Sequence, residues 1–210
     1  MSETLRHTDR VAAALARHIL SGNWAENDKF PPDSDLCAEF GVSRTVIREA
    51  LRLISGKGLI IAVPRRGTHV APRKNWALWD KDVLYWLGLI SENDNKYDFL
   101  ADALDMRLAL EPTLAALAAA RADEAANKAL QEALRHLQNT PDKTAHLDFL
   151  ACFYAAARND FALAALPLAR FALAEATAPP LEAYRGLTAA IAQKDGALAR
   201  QAALQAILAQ

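Results

Sequence analysis

The chain has 210 residues, 52% of them apolar and 23% charged, with a formal net charge of −1. This composition excludes a disordered chain and suits one large domain or two small ones with real buried cores. The charge is uneven. Residues 1 to 75 hold 12 Lys and Arg against 8 Asp and Glu, and the remainder 12 against 17, so the basic front fits a small nucleic-acid contact surface rather than a strongly basic nonspecific binder.

Residues 8 to 21 are predicted to form a first helix, capped by Thr8 or Asp9, with Val11, Leu15 and Ile19 as its apolar stripe and Gly22 as its end. A loop through Trp24 leads to Pro31-Pro32, a loop-then-cap signal for a second short helix from Asp33. The next stretch, Cys37 to Arg52, reads as the turn and second helix of a helix-turn-helix. Gly41 permits the positive φ of a sharp helix exit, and Ser43 is a good N-cap for the helix after it.

At 100° per residue from Ser43, the residues Arg44, Thr45, Arg48 and Arg52 fall on one side of this third helix. Val46, Ile47, Ala50, Leu51 and Ile54 fall on the other. By itself such a charge run also describes a solvated helix face. Arg and Thr near a helix start are nonetheless the groups that bond guanine edges and backbone oxygens in a major groove, and the flanking sequence favours that reading.

Residues 59–63 and 68–70 read as two short strands around a basic turn holding Pro64, Arg65, Arg66 and Gly67. Three helices and this hairpin make a winged helix-turn-helix, in which the wing reaches backbone or minor groove beside the helix in the major groove. A linker at residues 71–75 is expected to separate a DNA-binding domain, 1–73, from an all-helical domain, 74–210. Candidate helices there run 76–90, 97–122, 123–138, 141–158, 161–176, 181–194 and 196–208, and alanine richness favours close packing. The fold class is therefore mainly α: a winged helix-turn-helix followed by a helical bundle.

Cys37 and Cys152 lie far apart in apolar helix patterns and read as ordinary thiols of a reducing compartment. The start, Met1 to Arg6, has no apolar core segment, and no run of about 18 apolar residues occurs, so a cytoplasmic protein is expected. There is no nucleophile-base pair, phosphate-cradling glycine loop or metal-ligand cluster. An enzyme is not expected, nor is a cofactor.

Gly41-Val-Ser-Arg-Thr-Val-Ile-Arg-Glu-Ala-Leu51, Gly58-Leu-Ile60, Arg66-Gly-Thr68 and Val70 together resemble the DNA-binding domain of the GntR family of bacterial transcription regulators. The resemblance implies that Arg44, Thr45 and Arg48 read base edges and phosphates after the Ser43 cap, with Arg65, Arg66 and Gly67 at the wing. Many relatives place an Arg where Ser34 stands here, which removes one contact. Trp76 to Trp86, and Arg107 with Glu111-Pro112, resemble the all-helical FCD effector domain of the family's FadR-like branch, in particular regulators of sugar-acid operons. A homodimer on a palindromic operator is implied.

FCD domains commonly hold a divalent metal through an Asp and three His. The matching places here hold His146, Leu150, Tyr184 and about Ala206, so no metal is expected. Leu100, Leu104, Leu108, Leu110 and Leu114 are predicted to share a face centred on Arg107 and Glu111. A guanidinium buried there needs an anion, and two readings stay open: an internal Arg107–Glu111 pair, or an Arg107 that also clamps a ligand carboxylate. His146 and Tyr184 are likewise either satisfied core residues or hydrogen-bonding partners of a small organic acid. A second domain that only dimerises remains the alternative.

Overall fold

The computed structural model describes residues 3–90, 94–175 and 180–209. The chain divides into two compact units, Met1–Tyr97 and Asp98–Gln210.

In the first unit α1, Glu3–Leu20, buries Val11, Ala12, Leu15, Ala16, Ile19 and Leu20, a helical stripe that packs on α3. The helix starts earlier than predicted: Thr8 is a buried residue within it rather than its cap. Gly22, at φ 80, follows its end. The second helix, α2, spans Asp33–Phe40 behind Pro32, with Asp33 and Asp35 in its first turn, where they complement the helix dipole. It ends at Gly41 in the left-handed conformation, φ 63 and ψ 33, as a glycine pivot requires. Ser43 then accepts from Val46 N at 3.4 Å and opens α3, Arg44–Gly56. Val46, Ile47, Ala50 and Ile54 turn inward.

The wing consists of β1, Ile60–Val63, antiparallel to β2, Gly67–Val70, in the register Ile60↔Val70 and Val63↔Gly67. Residues 27–30, expected as plain loop, line the far edge of β2: Phe30 N donates to Thr68 O at 2.8 Å and Val70 N to Asp28 O at 3.0 Å. The β2 strand thus gains a partner along the edge that β1 does not cover.

The helix predicted from Trp76 is shorter: α4 is Lys81–Gly88, with Asp80 as N-cap accepting from Asp82 N at 2.9 Å. Residues 71–80 are tied to the end of α3 instead. Ala77 N donates to Lys57 O at 2.9 Å, Lys57 Nζ meets Asp80 at 2.7 Å and Asp82 at 2.8 Å, and the Trp76 indole donates to Ala71 O at 2.9 Å. Gly58, at φ 73, allows this: a Cβ there would collide with the Asn75 carbonyl. The buried Val83, Leu84, Trp86 and Leu87 of α4, which packs on α1, also belong to this unit. The first unit therefore runs beyond the expected linker to Tyr97.

The second unit is helical. It comprises α5 (Asp94–Arg121, which begins in the first unit), α6 (Glu124–Asn139), α7 (Lys143–Ala156), α8 (Asp160–Glu175), α9 (Leu181–Ala192) and α10 (Gly196–Leu208). The last residue predicted for α8, Ala176, lies outside the described residues. Side chains of Asp123, Asp142 and Asp195 cap α6, α7 and α10. Phe149, Phe153 and Tyr154 of α7 fill the core, and Ala199, Ala202, Ala203 and Ala206 let α10 approach α9 closely.

Buried on α5 are Phe99, Ala103, Arg107, Glu111, Ala115 and Ala119, spaced by four, with Leu114 and Ala118 beside the last of them. The predicted leucine face is corrected accordingly: Leu104 is exposed, Leu100, Leu108 and Leu110 are half-buried, and of those five only Leu114 is buried. At about 100° per residue, each step of four drifts by about 40°, so the buried stripe winds around α5 instead of holding one leucine face. Among the described residues no helix is long and apolar enough to cross a membrane. Cys37 and Cys152 are half-buried free thiols.

Candidate nucleic-acid interface and buried polar cluster

The outward side of α3 presents Arg44, Thr45 and Arg48 to solvent. Ser43 is exposed too, but its oxygen is engaged at the helix start, so it sets where α3 begins and thereby aims the three side chains after it. Arg48 and Arg52 of α3, together with Ser55 and with Thr68 of the wing, line a concavity of about 410 Å³ between helix and hairpin. Arg52 approaches Glu49 at 3.6 Å, but both are exposed, and such a pair contributes little.

Arg65, Arg66 and Gly67 are exposed at the wing tip. Arg66 N donates to Val63 O at 3.0 Å, closing a tight turn with Pro64 and Arg65 at its centre. Arg65 sits there at φ 62, in the left-handed region that favours glycine. Among the described residues, no carboxylate lies within ion-pair distance of Arg44, Arg48, Arg65 or Arg66. Uncompensated guanidiniums on a helix and a neighbouring hairpin form the electrostatic footprint of a surface that meets phosphates.

The second unit holds its polar groups inside. Arg107 and Glu111 are 3% and 4% exposed, and the guanidinium meets the carboxylate with two bonds, Nε to Oε1 at 2.7 Å and Nη2 to Oε2 at 3.3 Å. Tyr154 donates to the same Oε1 at 3.1 Å. His146 Nδ1 and the Tyr184 hydroxyl are 3.3 Å apart, and both residues are buried. Burial holds the His146 imidazole below its usual pKa against the opposing charge of Asp142. Burial likewise pushes the Tyr184 phenol above its ordinary value, with Arg107 lowering it and Glu111 raising it. All three predicted ligand residues thus belong to one electrostatic neighbourhood.

Tyr154, which joins this cluster through Glu111, escaped the sequence reading; it stands eight residues after His146 on the same helix α7.

The four places where relatives hold a metal offer one imidazole and one phenol, because Leu150 and Ala206 carry no donor. Among the described residues no three His, Cys, Asp or Glu side chains gather around a common point. This donor set does not fit a divalent ion.

A family profile for "Bacterial regulatory proteins, gntR family" matches residues 7–70, which span the three helices and the wing. The galactonate operon transcriptional repressor of Escherichia coli (strain K12) is 32% identical over 97% of this chain and 95% of its own length. The uncharacterized HTH-type transcriptional regulator YieP of the same organism is 32% identical over 72% of this chain and 57% of that one. Among solved structures, Streptococcus agalactiae GntR superposes with a TM-score of 0.52 at 22% identity, covering 96% of this chain and 97% of its own, which is a likeness of fold. A relative of this identity across nearly both full lengths, and a profile covering the winged helix-turn-helix, establish that the chain belongs to the gntR family and is a DNA-binding transcriptional regulator.

Proposed function

We propose that this regulator represses a metabolic operon by binding a short inverted repeat as a homodimer in the cytoplasm, and that a small organic acid of the sugar-acid class releases it. The observation that carries the DNA half is the row of unpaired, solvent-facing Arg44, Thr45 and Arg48 behind the Ser43 cap. In this reading Arg44 and Arg48 bond guanine edges or phosphates, Thr45 supports them, and Arg65, Arg66 and Gly67 meet the backbone or the minor groove. Two-fold symmetry doubles a contact surface that one small winged unit leaves weak. Footprinting upstream of the neighbouring genes tests this. A protected inverted repeat is expected, and absence of any protected repeat overturns it.

The effector half rests on the buried cluster of Arg107, His146 and Tyr184 and on the likeness to a galactonate operon repressor. Arg107 supplies positive charge to an acid, and His146 and Tyr184 hydrogen-bond its oxygens. Ligand occupancy then favours a conformation with weaker operator affinity, by as much as the ligand's affinities for the two conformations differ. Calorimetry with D-galactonate, D-gluconate and their 2-keto-3-deoxy forms, with and without a chelator, tests this. Binding that survives the chelator and is lost in Tyr184→Phe is expected.

A second reading has its own support. Glu111 already bonds Arg107 twice within the core and itself accepts from Tyr154, as a purely structural pair would be satisfied. A second unit that only dimerises then shows no ligand-induced rise in melting temperature with any of these acids.

A further inference from the structure

The concavity between α3 and the wing holds polar groups that the reading of bases leaves unused. Arg48, Arg52 and Ser55 follow one another by steps of four and three along the exposed side of α3, so they form one row. The hairpin contributes Ala62 and Thr68, which pair directly across β1 and β2 and therefore share one side of it. The fold makes little use of this row. Arg52 meets Glu49 at 3.6 Å with both side chains more than half exposed, and the hydroxyls of Ser55 and Thr68 make no hydrogen bond within the described residues. Apart from Glu49, the rest of the lining is apolar. Guanidiniums, free hydroxyls and an apolar lining suit the phosphate oxygens and deoxyribose of a nucleic-acid backbone.

The shape of the duplex says which backbone. In B-DNA a single sugar-phosphate strand separates a major groove from the minor groove beside it. A protein with a helix in one groove and a hairpin in the other straddles that strand, whose phosphates then pass through the space between the two elements. Base edges are out of reach there, so a contact in this space holds register on the duplex and reads no sequence. Glu49 opposes an arriving phosphate by its charge, but its exposed pair with Arg52 is weak, and a phosphate contact also releases condensed counterions.

We infer that the concavity is a seat for the DNA strand between the two grooves, in which Arg52 leaves Glu49 to clamp a phosphate and the Ser55 and Thr68 hydroxyls donate to its oxygens. The inference rests on the proposed placement of α3 and the wing, and it adds a group of residues that serve affinity and register on every sequence. Arg52 is thus separated in function from Arg44, which belongs to the reading end of the same helix.

Full-length wild type, Arg52→Gln and Arg52→Lys are titrated by fluorescence anisotropy over a range of salt, with a mixed-sequence duplex and with the DNA upstream of the neighbouring genes. Lys128→Gln, an exposed charge on α6, controls for net charge alone. Arg52→Gln is expected to lower the salt slope by about 1 and to weaken both duplexes by about tenfold, so that the preference between them is kept. Arg52→Lys retains the slope, and both variants melt with wild type because the Arg52 side chain is 82% exposed. Ser55→Ala with Thr68→Val weakens both duplexes by about threefold and leaves the slope intact, since no charge is lost. A scan of neutral methylphosphonates along the upstream DNA locates the contact: a replacement between the two grooves weakens wild type and leaves Arg52→Gln indifferent. If the slope falls no further than in Lys128→Gln, or if wild type and Arg52→Gln give the same scan, this inference is overturned and the DNA reading stands. If Arg52→Gln weakens the upstream DNA alone, Arg52 reads bases and the inference is equally overturned. If wild type does not prefer the upstream DNA to the mixed duplex, the operator reading fails and carries this inference with it.

Discussion

The same side chain does opposite work in the two units. Arg44 and Arg48 stand in solvent on α3 without a carboxylate partner, whereas Arg107 is sealed inside the helical unit and bonded twice to Glu111. An exposed guanidinium contributes almost nothing to folding, so its energy remains for a partner. A buried one has lost its hydration and depends on its internal anion. Charge alone therefore does not mark a functional arginine. What marks it is whether the fold has already consumed its hydrogen bonds.

Substitution in each unit can break this contrast. Arg44→Ala with Arg48→Ala is expected to weaken operator binding by about 2–6 kcal/mol, from two base or phosphate contacts of about 1–3 kcal/mol each, with the melting temperature unchanged. Fluorescence anisotropy and calorimetric melting read the two quantities. Intact sequence-specific binding in the double variant would show that α3 is not the reading element.

Glu111→Gln is the converse case. It leaves Arg107 buried without its anion and is expected to cost about 3–5 kcal/mol in denaturant unfolding. Replacing Arg107 and Glu111 together with Met and Leu should recover most of that loss, because the burial penalty of both charges disappears. If Glu111→Gln alone unfolds at the wild-type midpoint, the pair is not an internal clamp.

A smaller effect separates the units by pH. Burial lowers the pKa of His146, so the folded state binds fewer protons than the unfolded one, and stability falls as pH drops through the imidazole's ordinary value of 6.5 toward the folded value. Above that window the contribution is constant. His146→Gln should flatten the fall in melting temperature between neutral and mildly acid pH, and an unchanged slope would assign it to other groups.

The smallest effect is at the wing. Arg65→Gly relieves a left-handed residue at φ 62 and should stabilise the protein by at most about 1 kcal/mol, offset by glycine's greater unfolded freedom. The same change should lower the salt slope of operator binding by about 1 if Arg65 contacts a phosphate. Gains in stability and losses in binding at one residue would identify strain retained for function.

Local chemistry in the chain was enough to place Gly41, Ser43 and the two sides of α3. Helix exit, cap and amphipathic stripe are written within a dozen consecutive residues, and the structure adds to them only the neighbouring helices. The wing was legible for the same reason, its two short strands flanking a Pro-Arg-Arg-Gly turn. The backing of β2 by residues 27–30 was not, because backbone pairing across forty residues leaves no pattern in the side chains. Likewise α4 starts at its Asp80 cap rather than at Trp76, because Lys57 and the Gly58 backbone draw residues 71–80 into extended contact.

In the helical unit the sequence by itself determined that helices form, roughly where they end, and that a buried Arg107 needs an anion. Only the tertiary structure decided which side of each helix faces in. Where alanine and leucine surround α5, most sides are apolar enough to be buried, so periodicity does not choose among them; close packing against neighbouring helices does. That packing turns Leu104 outward, brings Tyr154 to Glu111 across 43 positions of sequence, and leaves the Thr188 hydroxyl without a partner.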